Sequence, residues 1–588
     1  MNFNFFLNKS NNITLSEKIS IIDTEYQINN DIKLKQISLL FSLINISSSN
    51  IVNINKDFYH NICYKNIFKN ILTGFGEIVL DKYLNTPTYN VDLLLIRQNN
   101  IKYLYNKNID EILINIKKNE NEILWFWNND VNSDNFNSLY ELLFYNIPYL
   151  NSNINSMINK NDLLLNITHI YKIFISPMIT FFIPILTFLI PLIFFYIFKI
   201  NITFTLFKNT MLFALKTIIL NIIPKTTGKL KFLSIFIAGI YLFLYLRTSY
   251  DSIKNAYDIN KIINIFHKKL NYIAELIINI SQLNILLPNF KSSVLIDNDL
   301  DFFNKHICPI YYNPQLFTNK GKILSTYQIF LENKDKLKNI LFYLGEIDMF
   351  YSLTKLKNIS LSIFDTISKK PYIKINKIWH PSIIKDPIKN SLNIDKNILI
   401  TGPNQAGKST FIKSVAINLL YSQTLGIVTA KKFLFTPFHI INSYINISDN
   451  IGKESLFDAE ISRSKEYIDL IKNNVDKKSF IVIDEILTST NYIEGYSAAY
   501  AIIKNIAKYT NNISIITTHY TNFVNINNLK YYKFISKKID NNIVYPYKIY
   551  KGYSKQYIAL ELLKKKFNDL ELINDAMEIQ TKFKSLHP

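Results

Sequence analysis

The chain has 588 residues and a formal net charge of +21, carried by 66 basic side chains of which only Arg97, Arg247 and Arg463 are arginines. Such a charge attracts phosphate backbones or anionic lipid, but asparagine, isoleucine, lysine, tyrosine and phenylalanine are abundant everywhere and glycine is scarce, which is the mark of an A/T-rich coding sequence and not evidence of a designed groove. Two distant cysteines, Cys63 and Cys308, exclude a disulfide framework or a cysteine metal site and fit a reducing compartment.

Residues 1–70 mix short helical patterns with polar, asparagine-rich loops and carry no identifiable chemistry. No cleavable signal is visible, because MNFNFFLNKSNN is short and polar residues follow at once. From 71 to 165 the pattern is mainly helical. Residues 166–250 read as a membrane segment. Between Lys172 and Lys199 the run Ile173–Phe198 has no charge, and as a helix it exceeds the roughly 30 Å hydrocarbon core. Pro177, Pro184 and Pro191 recur within it; membrane spans tolerate proline where neighbours re-satisfy the freed backbone. A second uncharged run, Phe232–Leu246, lies within a predicted span at about 230–250, with Tyr241, Tyr245 and Tyr250 suited to an interface. Between the two, Lys208 and Lys216 make 200–223 an interfacial or re-entrant candidate. Two spans would put both flanking regions on one face, and ATP would require that to be the cytosolic one. Lysine counting does not orient the hairpin. The competing reading is a pair of core helices, which fits the shorter run better than the longer one.

Long amphipathic helices return over 251–369, with Ile262, Ile265, Phe266 and Leu270 at helical spacing as core positions. From about 370 to 588 the pattern becomes α/β. Ile398-Leu399-Ile400 leads into Gly402-Pro403-Asn404-Gln405-Ala406-Gly407-Lys408-Ser409, and a helix-compatible segment follows from Thr410. Strand, glycine-rich loop and helix in that order form a phosphate-binding loop: backbone N–H groups and the helix N-terminus hold a polyphosphate, Lys408 reaches its β- and γ-phosphates, and Ser409 ligates Mg²⁺. SFIVIDE, 479–485, is a buried-strand pattern ending in two carboxylates. Asp484 suits the Mg²⁺ shell and Glu485 the activation of water; the plain alternative is a solvated strand end. SIITTHY, 514–520, is another strand, ending in His519. A lone histidine is usually structural, but at a strand tip it is placed to meet a γ-phosphate. Ser455 precedes a helical pattern, where a serine ordinarily caps the helix.

Together these segments resemble the ATPase of the MutS family, a branch of the ABC-type nucleotide hydrolases. TGPNQAGKSTFIKSVAINLLYSQTLGIVTA is similar to the family's phosphate loop, first helix and glutamine segment, here Gln423; ESLFDAEISRSKEYI to its signature segment; ITTHY to its switch; and KIYKGYSKQYIALELLKKKFNDLELINDAMEI to its closing helix. Upstream, residues 72–104 resemble the entry into the family's helical lever, 343–356 its exit, and Trp379-His380-Pro381 the segment ahead of the ATPase sheet. The resemblance implies ATP and Mg²⁺ as cofactors and a homodimer in which Ser455 completes the nucleotide site of the opposite subunit. It implies that Thr410 and Gln423 join the nucleotide contacts, and that DNA is the partner. The fold class expected is a C-terminal α/β P-loop (ABC-type) ATPase domain plus a mainly α-helical lever, 71–165 and 251–369, interrupted by a transmembrane hairpin.

The departures matter. About seventy residues precede the lever entry, too few for the family's mismatch-reading and connector domains, and the Phe75-Gly76-Glu77 triplet lies inside the lever match. LTSTNY replaces the usual GRGTST after Glu485, as in a divergent branch, and a C-terminal dimerisation module is expected to be minimal. The leading expectation is a membrane-tethered ATPase acting on DNA. The alternative is an ATP-driven membrane remodeller without DNA contact. Two or three spans per subunit supply little lining for a transport path.

Overall fold

A computed structural model of the chain describes principally residues 19–46, 67–128, 152–182, 229–311, 319–445, 456–520, 525–554 and 570–586, with scattered positions elsewhere. Its main helices are α1 (Gly74–Asn85), α2 (Val91–Leu104), α3 (Lys229–Leu286), α4 (Leu337–Thr354), α5 (Lys408–Thr424), α6 (Leu456–Lys472) and α7 (Tyr492–Ile506). The main sheet is built from β1 (Asn53–Ile54), β2 (Asn397–Thr401), β3 (Ile440–Tyr444), β4 (Ser479–Ile483), β5 (Asn512–Thr518), β6 (Leu529–Phe534) and β7 (Ile549–Lys551). The chain divides into two compact units, each assembled from separated stretches: Met1–Lys33, Ile114–Leu286 and Leu295–Ile340 in one, and Leu34–Leu113, Leu287–Val294 and Leu341–Pro588 in the other. The expected boundaries near 70 and 370 both fall inside the second unit.

The first unit is helical. In the C-terminal half of α3, Ile262, Phe266, Leu270, Ile273, Ile277 and Ile280 recur every three or four residues and all are buried, as one face of a helix requires. Phe266 stacks on Tyr327 at 4.3 Å. Lys269 is buried, paired with Glu122 and lying 5.2 Å from the Trp125 ring. The predicted span at 230–250 is not a separate helix: it is the N-terminal part of α3, which runs unbroken for 58 residues, about 87 Å. Nothing in 229–286 interrupts it, since that stretch contains no proline. Its first part is exposed, with Phe236, Leu242, Phe243, Leu246 and Tyr250 each more than half accessible. Most of the other predicted span, 183–198, lies outside the described residues. Among the described residues one helix is long and apolar enough to cross a membrane, Asp162–Phe182, and only 11% of it is buried. At 21 residues it measures about 31 Å. Leu163, Ile167, Tyr171, Ile175, Met178 and Phe181 form an exposed apolar stripe along it. The Tyr245 hydroxyl donates to the Phe181 carbonyl, so the C-terminal end of this helix lies against α3 near residue 245.

The second unit has the expected α/β character. Its seven-stranded sheet runs β1-β3-β4-β5-β2-β6-β7 and is parallel except where β7 pairs with β6. Every residue of β2, β3, β4 and β5 is buried, which is why these strands read as continuous apolar runs and not as alternating ones. A four-stranded sheet of Ile363–Phe364, Lys432–Phe435, Ile373–Ile378 and Asn390–Ile394 accompanies it. Phe75 is fully buried and packs near Phe41, so it is a core residue. The Thr73 hydroxyl caps α1 by accepting from Gly76 N–H, while Asp348 on α4 accepts from Thr73 N–H at 2.7 Å.

Polar contacts buried in this unit tie α2 to the end of α5. Arg97, 4% exposed, donates to the Thr424 carbonyl and lies 4.5 Å over the Tyr83 ring. The Tyr83 hydroxyl donates in turn to Glu346, which also accepts from Ser293 N–H at 3.1 Å. Burial raises the Glu346 carboxyl above its usual range, while these hydrogen bonds oppose the rise. We expect Arg97→Ala to cost about 3 kcal/mol, because it leaves a carbonyl and the Glu346 network uncompensated in the interior. Urea unfolding measures this; an unchanged midpoint would remove Arg97 from the account of stability.

Candidate active site

Strand order builds the site. Strand β2 ends at Thr401 and feeds the glycine-rich loop; its neighbour β5 ends beside His519; and the next strand, β4, ends at Ile483, just before Asp484 and Glu485. Three parallel strands therefore deliver Lys408, His519 and the carboxylates to one C-terminal edge, where ligands bind in α/β sheets. The Glu485 carboxylate and His519 Nε2 meet at 2.6 Å. Thr517 donates to Asp484 at 2.6 Å and accepts from Glu485 N–H at 2.8 Å, fixing both acids to β5.

The loop fits a polyphosphate. Gly402 has φ +153°, and a Cβ there would come within 2.8 Å of the Phe534 carbonyl; Gly407 has φ +97°, and a Cβ would meet Tyr547 at 3.0 Å. Side chains are thus excluded where backbone N–H groups must line a phosphate cradle. Pro403 and Ala406 are buried, while Asn404, Gln405 and Thr410 are exposed and Ser409 is half-buried. Lys408 opens α5 and is 4% exposed; its ammonium donates to the carbonyls of Gly402 at 2.9 Å and Pro403 at 3.2 Å. Burial pulls its pKa down, and the charges of Glu485 and Asp484 act against that. The Glu485 carboxyl sits below its usual range, chiefly through the His519 hydrogen bond, against the opposing effect of burial, with smaller help from the charges of His519 and then Lys408.

Gln423 is not brought to the loop. It lies at the far end of α5, about 22 Å from Lys408 at 1.5 Å per residue. Its amide is fully buried and donates to the carbonyls of Thr88 at 3.2 Å and Phe438 at 2.9 Å, while accepting from Phe438 N–H. Its present role is to anchor the helix. Ser455 lies outside the described residues; α6, which follows it, is present as expected.

Sequence reasoning missed one part of the site and noted another only as a departure from the family's pattern. Beside Gly407 a cavity of about 240 Å³ is lined by Trp379, His380, Ile383, Ile388, Phe411 and Tyr547. Burial, with help from Lys413, pushes His380 down to about 4, so its ring is neutral at pH 7. A mostly apolar cavity next to a phosphate cradle suits the base of a nucleotide. The second part is the loop after Glu485. Glu485 has φ 59° and Leu487 φ 50°, left-handed values that cost a residue bearing a Cβ about 1–2 kcal/mol each. Leu487 stands where GRGTST would supply a glycine.

Residues 398–584 match the family model described as MutS domain V. The chain is 27% identical over 289 residues to the DNA mismatch repair protein MutS of Clostridium novyi (strain NT), covering 44% of this chain and 31% of that protein. It is 29% identical over 300 residues to the protein of that name from Clostridium botulinum (strain Hall), covering 46% and 32%, and 30% identical over 276 residues to that of Clostridium perfringens (strain ATCC 13124), covering 43% and 30%. The chain thus spans about a third of the length of the curated relatives it matches. With the parallel sheet and the loop geometry already described, these matches support MutS-family membership over the C-terminal part of the chain.

Proposed function

We propose that this protein is a membrane-tethered MutS-family ATPase that binds and hydrolyses ATP with Mg²⁺ as a dimer and couples turnover to DNA binding. The observation that carries this reading is the convergence of Lys408, Glu485 and His519 on one sheet edge, with the carboxylate and imidazole 2.6 Å apart. Residues 402–410 hold the phosphates by backbone N–H groups and the α5 N-terminus. Lys408 turns from the Gly402 and Pro403 carbonyls onto the β- and γ-phosphates. Ser409 and Asp484 would hold Mg²⁺, which would supply neutralisation of the phosphate charge. Glu485 accepts a proton from the attacking water, and His519 orients that carboxylate and meets the γ-phosphate. Ser455 of the opposite subunit closes the site.

DNA mismatch repair is the named activity of the relatives, and DNA as partner here follows from that likeness. The membrane part rests on the exposed apolar stripe of Asp162–Phe182 and the equally exposed start of α3, with the ATPase domain facing the cytosol. That stripe also favours the second reading, an ATP-driven membrane remodeller that touches no DNA. Turnover of the full chain, measured with duplex DNA, branched DNA or liposomes, separates the two. DNA stimulation that weakens steeply with salt supports the first, and liposome stimulation alone supports the second. Flotation on liposomes should be lost when residues 166–250 are removed; equal flotation would end the membrane reading.

A further inference from the structure

The left-handed loop after Glu485 persists only because its surroundings fix it. From β5, Thr517 accepts from Glu485 N–H at 2.8 Å, Ile486 N–H donates to the Thr517 carbonyl at 3.3 Å, and the Tyr520 hydroxyl donates to the Leu487 carbonyl. The other side is held from α6. Glu460, only 8% exposed, accepts from the Ser489 hydroxyl at 2.6 Å through Oε2 and from Thr488 N–H at 3.4 Å through Oε1.

Two turns further along α6, Tyr467 is fully buried. It hydrogen-bonds Ser514 of β5 and meets the Tyr444 ring edge-on at 5.5 Å. Glu460 and Tyr467 are seven residues apart and share a helix face. The helix is therefore pinned to the sheet at one point and grips the catalytic loop at another. A cavity of about 190 Å³ is lined by Glu460, Arg463, Ser464 and Tyr467 of α6 together with Asp484 and Glu485.

We propose that Glu460 is a positioning residue for hydrolysis. It holds the Thr488–Ser489 end of the loop so that Glu485 is aimed at the attacking water, and it makes the set of that carboxylate depend on where α6 stands. It touches no reacting atom and works only through the loop. The inference rests on the ATPase reading above.

The test uses the full chain as wild type, Glu460→Ala, Glu460→Gln, Ser489→Ala and the Glu460→Ala/Ser489→Ala pair, with ATP affinity, turnover and thermal unfolding measured for each. Glu460→Ala should lower kcat by about tenfold to a hundredfold, the scale of a misaimed catalytic group, while ATP affinity stays within about twofold. Glu460→Gln keeps an acceptor oxygen and should recover most of the rate. Ser489→Ala should lower kcat in the same direction, and the double variant should be no slower than Glu460→Ala, because both remove one contact. Should Glu460→Ala fail to fold, Ser489→Ala, at a half-buried position, and Glu460→Gln carry the test. Unchanged kcat in Ser489→Ala overturns the proposal, as does a pair slower than Glu460→Ala by the full Ser489→Ala loss, or a parallel loss of ATP affinity. A wild-type chain that binds ATP without turnover overturns the enzymatic reading first, and is distinguishable because no variant then has a rate to lose.

Discussion

Lys408→Ala should weaken ATP binding by about a hundredfold or more while leaving the fold in place. The ammonium is buried and already spends its donors on two carbonyls of its own loop, so a nucleotide exchanges neutral acceptors for charged ones. A hydrogen bond to a charged group contributes about 1.5–3 kcal/mol, and each 1.4 kcal/mol is about tenfold in affinity. With two phosphates to bridge, the expected loss exceeds 100-fold. The ammonium's hydrogen bonds to Gly402 and Pro403 stay within its own loop, so the nucleotide-free melting temperature should hardly move while the ATP-induced rise in melting temperature disappears. Calorimetric titration and thermal melts on the same samples decide it. Wild-type affinity in the variant would mean that the 402–409 loop does not hold the phosphates.

What could be read in advance follows from how each feature is encoded. The phosphate loop, the Asp484-Glu485 pair and His519 are each written in one short contiguous stretch: an apolar run followed by the chemistry. Burial on both faces of a parallel strand produces such a run, and its end must lie at the ligand-binding edge. The order of the three strands is not contained in any one stretch, yet it is what sets His519 between Glu485 and the loop.

Other features depend on residues far apart in the chain. The two-residue strand Asn53–Ile54 joins the sheet by pairing with Ile440 and Ile441, and nothing local in an asparagine-rich segment announces it. Tyr547 covers Gly407 from well over a hundred residues downstream. Glu460 reads as one more polar residue on an amphipathic helix. Its i, i+7 relation to Tyr467 places it on the sheet-facing side, which is the one signal that could have singled it out. The long helix shows the opposite failure. A change from uncharged to amphipathic sequence near Arg247 looks like a boundary, but hydropathy reports the environment and not the backbone, and α3 continues through it. Gln423 was assigned by likeness alone; a fully buried amide with three backbone partners is committed to packing.

Glu485→Gln should retain ATP and lower turnover by about 10²–10⁴-fold, the usual scale for removing a general base. The amide keeps the size and a hydrogen bond to His519 but cannot take a proton from water. The pH profile gives an independent check. The Glu485 carboxyl is held below its usual range by the His519 hydrogen bond, which outweighs the opposing effect of burial, with smaller contributions from the charges of His519 and Lys408, so the folded site stays ionised to lower pH than free glutamate. A depressed carboxyl is fully charged above its unfolded value, about 4.3, and its contribution is lost only as pH falls through the lower folded value. The acid limb of turnover should therefore fall below that of free glutamate. In His519→Ala it should move upward past the free value, because burial, which outweighs the charge of Lys408, then acts without the His519 contact. A limb that stays fixed when His519 is removed would show that the 2.6 Å contact does not set the charge of the base. Normal hydrolysis by Glu485→Gln would place the base elsewhere, and the neighbouring Asp484, tied by Thr517 to the same strand, would be the next residue to test.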